Sequence, residues 1–581
     1  MVVKEPVDKS IITSFLRAGF NITPGALSFI KNKEDPTNFA NILLHSFNSA
    51  KQRSTITRQM LENIDAAISD LMKDVPSTTK PASRPSSLLT ETVEDKHKKA
   101  LLTRTKTVKD LTPDKESIPV EQQMLEPALE SPAFQAVVEA VSPVGSPVLA
   151  NTTNELDLTS KSVFTPLAKE YSPAVKIIED CTGRLKNDGE FSDFSHLFND
   201  RFEKLKNMFK NRNDIARLVD ISELATTGKK SEELFIAGMV IDKKQTKSGN
   251  TILEIDDKTG RVNVILSTKS MDPKNLAYII LDEVLCFKGF YKDGIFISNE
   301  FHWPDVKHGR QPHLSEDDLS ILLISDLHVG SDNHLSDVWN RLRAWMRGEG
   351  TSDKAKEMAG KVKYVAIAGD LVDGIGVYPT QEEHLVIKDA TKQFEKAAEM
   401  LGEFPDHVTF IIAPGSHEPV RRALPQPATS KSYAKSLYDI GAIMVSDPAV
   451  VETHGIKTLM YHGESFIDLS IDIPEITHKT PELSMEKLLK SRHLAPSFGK
   501  KTELAPDKRD WLVISEVPDI MLTGHVHCNG VKNYHGTWLV NSGCFQGQTD
   551  FMKGLGIVPT IGQPNIINLK DFRLTTLNLT G

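Results

Sequence analysis

Cysteine is scarce in this chain, aromatic residues are few, positive charge is in deficit and no long apolar run occurs. Four cysteines among 581 residues (Cys181, Cys286, Cys528 and Cys544) are scattered without metal-like spacing. That argues against a disulfide framework and a thiolate zinc site, and suits a reducing cytoplasm. No apolar stretch approaches the ~18–20 residues of a membrane span, and the first residues lack the charged-then-apolar order of a secretion signal. No membrane association is expected. Basic residues number 69 against 78 acidic ones, a net charge of −9. A protein that coats nucleic acid unaided is usually basic, so any broad grip on DNA is expected to need a basic partner. The length is too great for one core and suggests about three folded units.

What is present centres on residues 321–330, ILLISDLHVG. A short apolar run ending in turn residues reads as a buried strand of an α/β sheet, and such sheets place ligands at strand carboxyl ends. Asp326 and His328, two positions apart, point the same way and suit one shared metal ion. Four further strands end similarly: 364–368 in Gly369-Asp370, 408–413 in Gly415-Ser416-His417-Glu418, 458–461 in His462-Gly463, and 519–522 in Gly524-His525-Val526-His527. Glycine beside a ligand lets the backbone turn tightly and approach closely. Five consecutive strand exits that each deliver carboxylate, imidazole or hydroxyl point to one site. Cys528 abuts the last histidine pair, but a hard cation does not recruit a thiol.

The order D-x-H, G-D, G-S-H, lone His, G-H-x-H resembles the signature of the calcineurin-like metallophosphoesterases. The words SDLHVGS, GDLVDGIGVYP, YHGES, TGHVH and NSGCFQGQT narrow the likeness. They are similar to the small-subunit family of the archaeal two-subunit, family D DNA polymerases, from about Tyr171 onward. The resemblance implies a layered α/β phosphoesterase sandwich carrying a two-metal 3′-to-5′ exonuclease. It further implies that Asp326, His328 and His527 hold one metal, that Asp370 bridges, and that Ser416, His462 and His525 hold the other. His417 would bind no metal; it would contact the scissile phosphate and protonate the leaving oxygen. Asp373 would support the site from behind, and Arg421 or Arg422 would meet either a DNA phosphate or solvent. Mixed Asp/His ligation suits Mn, Fe or Zn over Mg, with Mn first. One position departs: the family word is G-N-H-D, whereas this chain has Ser416 and Glu418. A serine hydroxyl is a poorer ligand than an asparagine carbonyl, so the second metal is expected to be weakened. Glu418 is expected to alter whatever steadies the His417 imidazole. His334, His384, His454 and His478 lie off the strand ends and read as surface or capping residues.

The rest of the chain divides by composition. Residues 1–73 carry apolar residues at helical spacing in short segments, including 24–30 and 55–72, and read as a small helical domain. It either docks a replication partner or is a self-contained bundle. Residues 74–172, rich in Ser, Thr, Lys, Glu and Pro, bury too little to offset chain entropy and read as a disordered linker. A helical lead-in over 173–215 carries an amphipathic helix at 194–212. Three strands, a helix near 275–281 and two strands then follow within 216–308, the element order of an OB-fold β-barrel. Basic residues and aromatics do not alternate there, which favours packing or partner contact over base stacking. Residues 309–581 form the phosphoesterase domain, with helices expected at 337–347 and 382–401.

Three functions compete. The first is the exonuclease subunit of a heterodimer, acting on primer 3′ ends beside a large subunit that polymerises. The second is a non-catalytic scaffold, kept open by Ser416. The third is a stand-alone metallophosphoesterase, disfavoured because the barrel, helical head and tether would have no use.

Overall fold

A computed structural model describes residues 164–227, 233–247, 249–267 and 271–580, with Asn21, Ile22, Leu27, Ile30, Thr55 and Ile56. The chain divides into two compact units, residues 1–149 and 150–581. In the first, Leu27 and Ile30 are helical, while Asn21–Ile22 pairs in parallel with Thr55–Ile56. Thr55 and Ile56, expected to open a helix, are therefore strand; both are β-branched, which favours extended backbone. The remainder of the helical head and nearly all of the 74–172 linker lie outside the described residues.

In the second unit a 3-10 turn (Leu167–Glu170) precedes strand β1 (Val175–Asp180), so the stretch 173–215 is not helical throughout. Helix α1 (Ser192–Lys210) comes after it, burying Leu197, Phe202, Leu205 and Phe209 at helical spacing. Five strands come next: β2 (Leu234–Gln245), β3 (Thr251–Asp256), β4 (Arg261–Leu266), then short helix α2 (Pro273–Ala277), β5 (Val284–Lys292) and β6 (Ile295–His302). They close into a barrel of order β2-β3-β4-β6-β5, antiparallel except for the parallel β4/β6 pair. Ile236, Leu253, Ile255, Val264, Leu285, Phe287 and Phe296 fill its interior.

Buried ion pairs lock the barrel to the remainder of the unit. Glu283, just before β5, is 2% exposed and pairs with the fully buried ammonium of Lys487, accepting also from Ser491 Oγ (2.5 Å) and Ile280 N (3.0 Å). Arg201 of α1 is likewise buried, with Nε 2.8 Å from Asp510 and Nη1 2.7 Å from the Pro496 carbonyl. Glu283→Gln leaves the Lys487 charge buried without its counter-ion. The expected result is a loss of about 3–5 kcal/mol in urea unfolding, largely recovered when Lys487→Met is added.

Beyond the barrel lie β7 (Ser320–Ile324), α3 (Ser336–Met346), β8 (Val362–Ala368), α4 (Ala390–Gly402), β9 (Thr409–Ala413), β10 (Ile443–Met444), β11 (Ala449–Thr453), β12 (Ile456–Met460), α5 (Pro481–Ser491), β13 (Ile520–Thr523), β14 (Asn529–Tyr534), β15 (Thr537–Ser542), β16 (Asn565–Asn568) and β17 (Leu574–Thr576). Two six-stranded sheets result, of order β10-β9-β8-β7-β16-β17 and β14-β15-β13-β12-β11-β1. Side chains alternate with the strand period of two. Leu322, Ile324, Val365 and Ile367 face α3 and α4, whereas Ile321, Leu323, Tyr364 and Ala366 face Met460, Ile520, Leu522 and Val540 of the other sheet. The second sheet's outer side, with Leu459, Met521 and Leu539, packs on Met485, Leu488 and Leu489 of α5. The layers are therefore four: helix, sheet, sheet, helix. The central strands are buried on both faces, which is why they read as unbroken apolar runs.

Helix α4 starts at Ala390, not near residue 382. The Asp389 carboxylate caps it by accepting from Lys392 N (2.9 Å), and Val386 N is already bound to the Gly330 carbonyl (2.8 Å). Among the described residues no helix is long and apolar enough to cross a membrane.

Candidate metal centre

In both sheets the site-bearing strands run parallel, β7-β8-β9 in one and β12-β13 in the other, so their carboxyl ends share one edge. The exits are stitched together: Asp326 N donates to the Gly369 carbonyl (3.1 Å), His328 N to that of Asp370 (3.0 Å), and Gly524 N to that of His462 (2.8 Å). Asp326, His328, Asp370, His525 and His527 all hold positive φ, between 49° and 71°. Such backbone costs a non-glycine residue roughly 1–3 kcal/mol and concentrates at functional sites. Gly415 and Gly524 permit the close approach: a Cβ on the first would lie 2.5 Å from Asp370 Oδ1, and on the second 2.3 Å from Asp326 Oδ2.

Metal-ligating atoms gather in two clusters, Asp326 with His328 and His527, and Asp370 with His462 and His525; a third group, His328, Asp370 and His417, links them. His328 Nε2 and His527 Nε2 face each other at 3.1 Å, and His527 Nε2 lies 3.4 Å from Asp326 Oδ1. Asp370 Oδ2 is 3.1 Å from His462 Nε2 and 3.9 Å from His328 Nε2, so this carboxylate lies between the clusters. The tautomers follow from the outer partners. His328 Nδ1 donates to Asp373 Oδ1 (3.0 Å) and His462 Nδ1 to the Ala368 carbonyl (2.9 Å), turning both Nε2 lone pairs inward. Inward Nε2 atoms beside buried carboxylates fit a divalent cation, which on His462 would take the place of the proton that Asp370 favours there. Burial favours the neutral Asp370 carboxyl, but His462, His417 and His328 outweigh it and hold the acid well below its usual range. The same attraction, Asp370 foremost, raises His462 well above an ordinary histidine despite its burial. Burial and the His462 charge push His525 down to about 3.

Ser416 and His417 stand beside this pair of clusters. Ser416 Oγ donates to Asp370 Oδ2 (3.2 Å), and His417 N donates to Asp370 Oδ1 (2.9 Å). The His417 ring sits edge-on to that of His328, centroids 4.6 Å apart, and its Nδ1 donates to the Asp373 carbonyl (2.7 Å). Its Nε2 is 3.9 Å from Asp370 Oδ2, on a side chain 16% exposed where Asp370 is only 3% exposed.

Glu418 turns away from its neighbour. It does not touch the imidazole of His417; its carboxylate accepts from the amides of Gly415 (2.7 Å), Asp370 (3.1 Å) and Leu371 (2.8 Å). Burial and neighbouring Asp370 push it up to about 7. The residue that steadies His417 is Asp373, through its carbonyl. Arg421 is held back from the cleft, its Nε donating to the Pro425 carbonyl (2.7 Å), while Arg422 is exposed. His334 Nδ1 donates to the Leu327 carbonyl (2.8 Å), and His454 meets Asp317 (2.9 Å), both away from the clusters.

The comparisons with known proteins agree on one family. The model of the DNA polymerase alpha/epsilon B-subunit family matches residues 321–531. The DNA polymerase II small subunit of Methanothermobacter thermautotrophicus is 39% identical over 408 residues, covering 70% of this chain and 83% of that one. That of Archaeoglobus fulgidus is 37% identical over 389 residues, covering 67% of this chain and 78% of the relative. That of Pyrococcus abyssi is 42% identical over 384 residues, 66% of this chain and 62% of the relative. The chain belongs to the archaeal DNA polymerase II small-subunit family.

In this small-subunit chain the matched region begins on β7 and ends just past His527, so it contains every residue of the two clusters. Three glutamines escaped the sequence reading. Gln381 Nε2 binds Asp373 Oδ2 (3.0 Å), Gln546 Nε2 binds Asp373 Oδ1 (3.3 Å), and Gln393 Oε1 accepts from Gly374 N (2.8 Å). The signals for them were Gln546 in the word NSGCFQGQT and Gln381 just past the Asp370 loop.

Proposed function

We propose that this small subunit pairs with a separate large polymerase subunit and itself removes mispaired nucleotides from the primer 3′ end by two-metal phosphodiester hydrolysis. The observation that carries the reading is Asp370, a buried carboxylate set between two ligand clusters whose imidazoles present lone pairs inward. In this reading the four-layer unit over 309–581 is a calcineurin-like phosphoesterase domain. The closed barrel within 216–308 is an OB fold, and the 1–73 segment is available to other replisome proteins. Asp326, His328 and His527 hold one cation, Asp370 bridges, and Ser416, His462 and His525 hold the other, with Mn first and Fe or Zn next. When bound, the two cations supply Lewis-acid charge to the phosphate and to both the attacking and leaving oxygens.

The chain's own residues do the rest. A carbonyl only accepts, so the Asp373 carbonyl fixes a proton on His417 Nδ1 and leaves Nε2 facing the cleft, where the imidazolium form would carry a second proton. His417 hands that proton to the departing 3′ oxygen while water adds to phosphorus, giving a nucleoside monophosphate and a primer shortened by one. The test is degradation of a 3′-mismatched primer by the purified chain with Mn, compared with Asp370→Ala and His417→Ala.

The scaffold reading keeps one observation in its favour. Ser416 Oγ is tied to the Asp370 carboxylate and offers the second cation only a neutral hydroxyl. Ser416→Asn restores a carbonyl ligand. The expected outcome is about tenfold tighter binding of the second Mn, read by calorimetry, with a parallel gain in primer degradation. Unchanged binding would show that Ser416 is not the weak point.

A further inference from the structure

Past Asp373 the chain builds one wall of the cleft. Gly374 N is bound to Gln393, Val377 N donates to Gln381 Oε1 (2.9 Å), Gln381 Nε2 donates to the Asp373 carbonyl (2.7 Å), and Arg422 Nη2 donates to the Val377 carbonyl (3.1 Å). Tyr378 is therefore carried on a braced loop, half-buried, with its ring centroid 6.4 Å from that of His417 and tilted by 59°. Burial, then the Asp373 and Asp332 carboxylates, push its phenol up to about 12, so the ring stays neutral beside a phosphate. Ile375 and Val386, 50% and 73% exposed, lie on the same stretch. The Tyr378 ring offers an aromatic face beside His417, suited to a base. His417 stands where the leaving oxygen is protonated, and that oxygen belongs to the nucleotide on the 5′ side of the scissile phosphate. A ring flanking His417 is about one sugar's width from it.

We propose that Tyr378 positions the substrate in this site, stacking on the base of the penultimate nucleotide, whose 3′ oxygen departs. The inference rests on the exonuclease reading and adds the substrate contact. Stacking on an aromatic side chain accepts any base, which suits a site that must remove whatever was misincorporated. It also lets the enzyme hold the shortened strand by its new terminal base.

The test uses the full chain and oligonucleotides with an abasic tetrahydrofuran unit at either the terminal or the penultimate position. Wild type is expected to cleave the penultimate-abasic strand about tenfold more slowly than the normal one, with a much smaller change for the terminal-abasic strand. Tyr378→Ala is expected to lose about tenfold on the normal strand and nothing further on the penultimate-abasic one; Tyr378→Phe behaves as wild type. A second readout needs no catalysis: with metal chelated, 2-aminopurine at the penultimate position is quenched on binding wild type and Tyr378→Phe, but not Tyr378→Ala. Equal additive losses in Tyr378→Ala, a Phe variant as slow as the Ala variant, or quenching that persists without the ring would each overturn the proposal. A wild-type chain that cleaves nothing would refute the exonuclease reading, while the quenching would still decide the stacking.

Discussion

Asp370→Ala is expected to abolish manganese-dependent primer degradation, a fall of at least about 10³-fold, because the shared carboxylate is the one group that serves both clusters. The effect should fall on chemistry and metal binding, with some loss of stability because buried His462 loses its counter-charge. Glu418 still holds the backbone of this loop through four amides, none of which depends on the Asp370 side chain. The metal-free variant should still unfold cooperatively, though at a lower temperature than wild type, and calorimetry should register loss of bound Mn. Asp370→Asn is the sharper control, since it keeps the shape and removes the charge. If Asp370→Ala retained wild-type degradation, the two clusters would have no joint role.

His417→Ala should separate from this cleanly. Removing a positioned general acid costs about 10²–10⁴-fold in kcat. His417 also lies within ligand distance of His328 and Asp370, so calorimetry decides its role: manganese binding should be unchanged if His417 acts only as the acid, and weakened if it is a ligand. A further distinction comes from the leaving group. A p-nitrophenyl ester of a nucleoside 5′-phosphate expels an anion that needs no proton, so His417→Ala should lose far less on it than on a primer. Equal losses on the two substrates would remove leaving-group protonation from His417 and leave it a phosphate contact.

The strand exits are legible in the sequence because burial on both faces makes each strand an uninterrupted apolar run, and the ligand comes within a few residues of its end. β7 and β13 are such cases, ending before Asp326 and His525. The barrel is legible too, since β3 and β4 alternate in burial and turn residues join the strands. Long-range pairings leave no such mark. β1 reads as the start of a lead-in, yet it pairs antiparallel with β11 more than 260 residues later, on the far side of the barrel, and completes a sheet edge. Nor does sequence order reveal which neighbour a side chain will choose. Glu418 is adjacent to His417 but turns back to the amides of the Asp370 loop. Asp373, over forty residues earlier, is what holds His417 and His328. Gln381, Gln393 and Gln546 were missed for the same reason: a neutral amide has no distinctive spacing, and only the folded loops bring three of them round one aspartate and its neighbouring glycine.

The most direct measurement is an anomalous difference map from crystals of the chain soaked in manganese. The expected result is two peaks, one among Asp326, His328 and His527 and one among Asp370, His462 and His525, with the second weaker because of Ser416. A cleft without manganese, or ions bound only elsewhere on the surface, would contradict the dinuclear centre and the exonuclease with it.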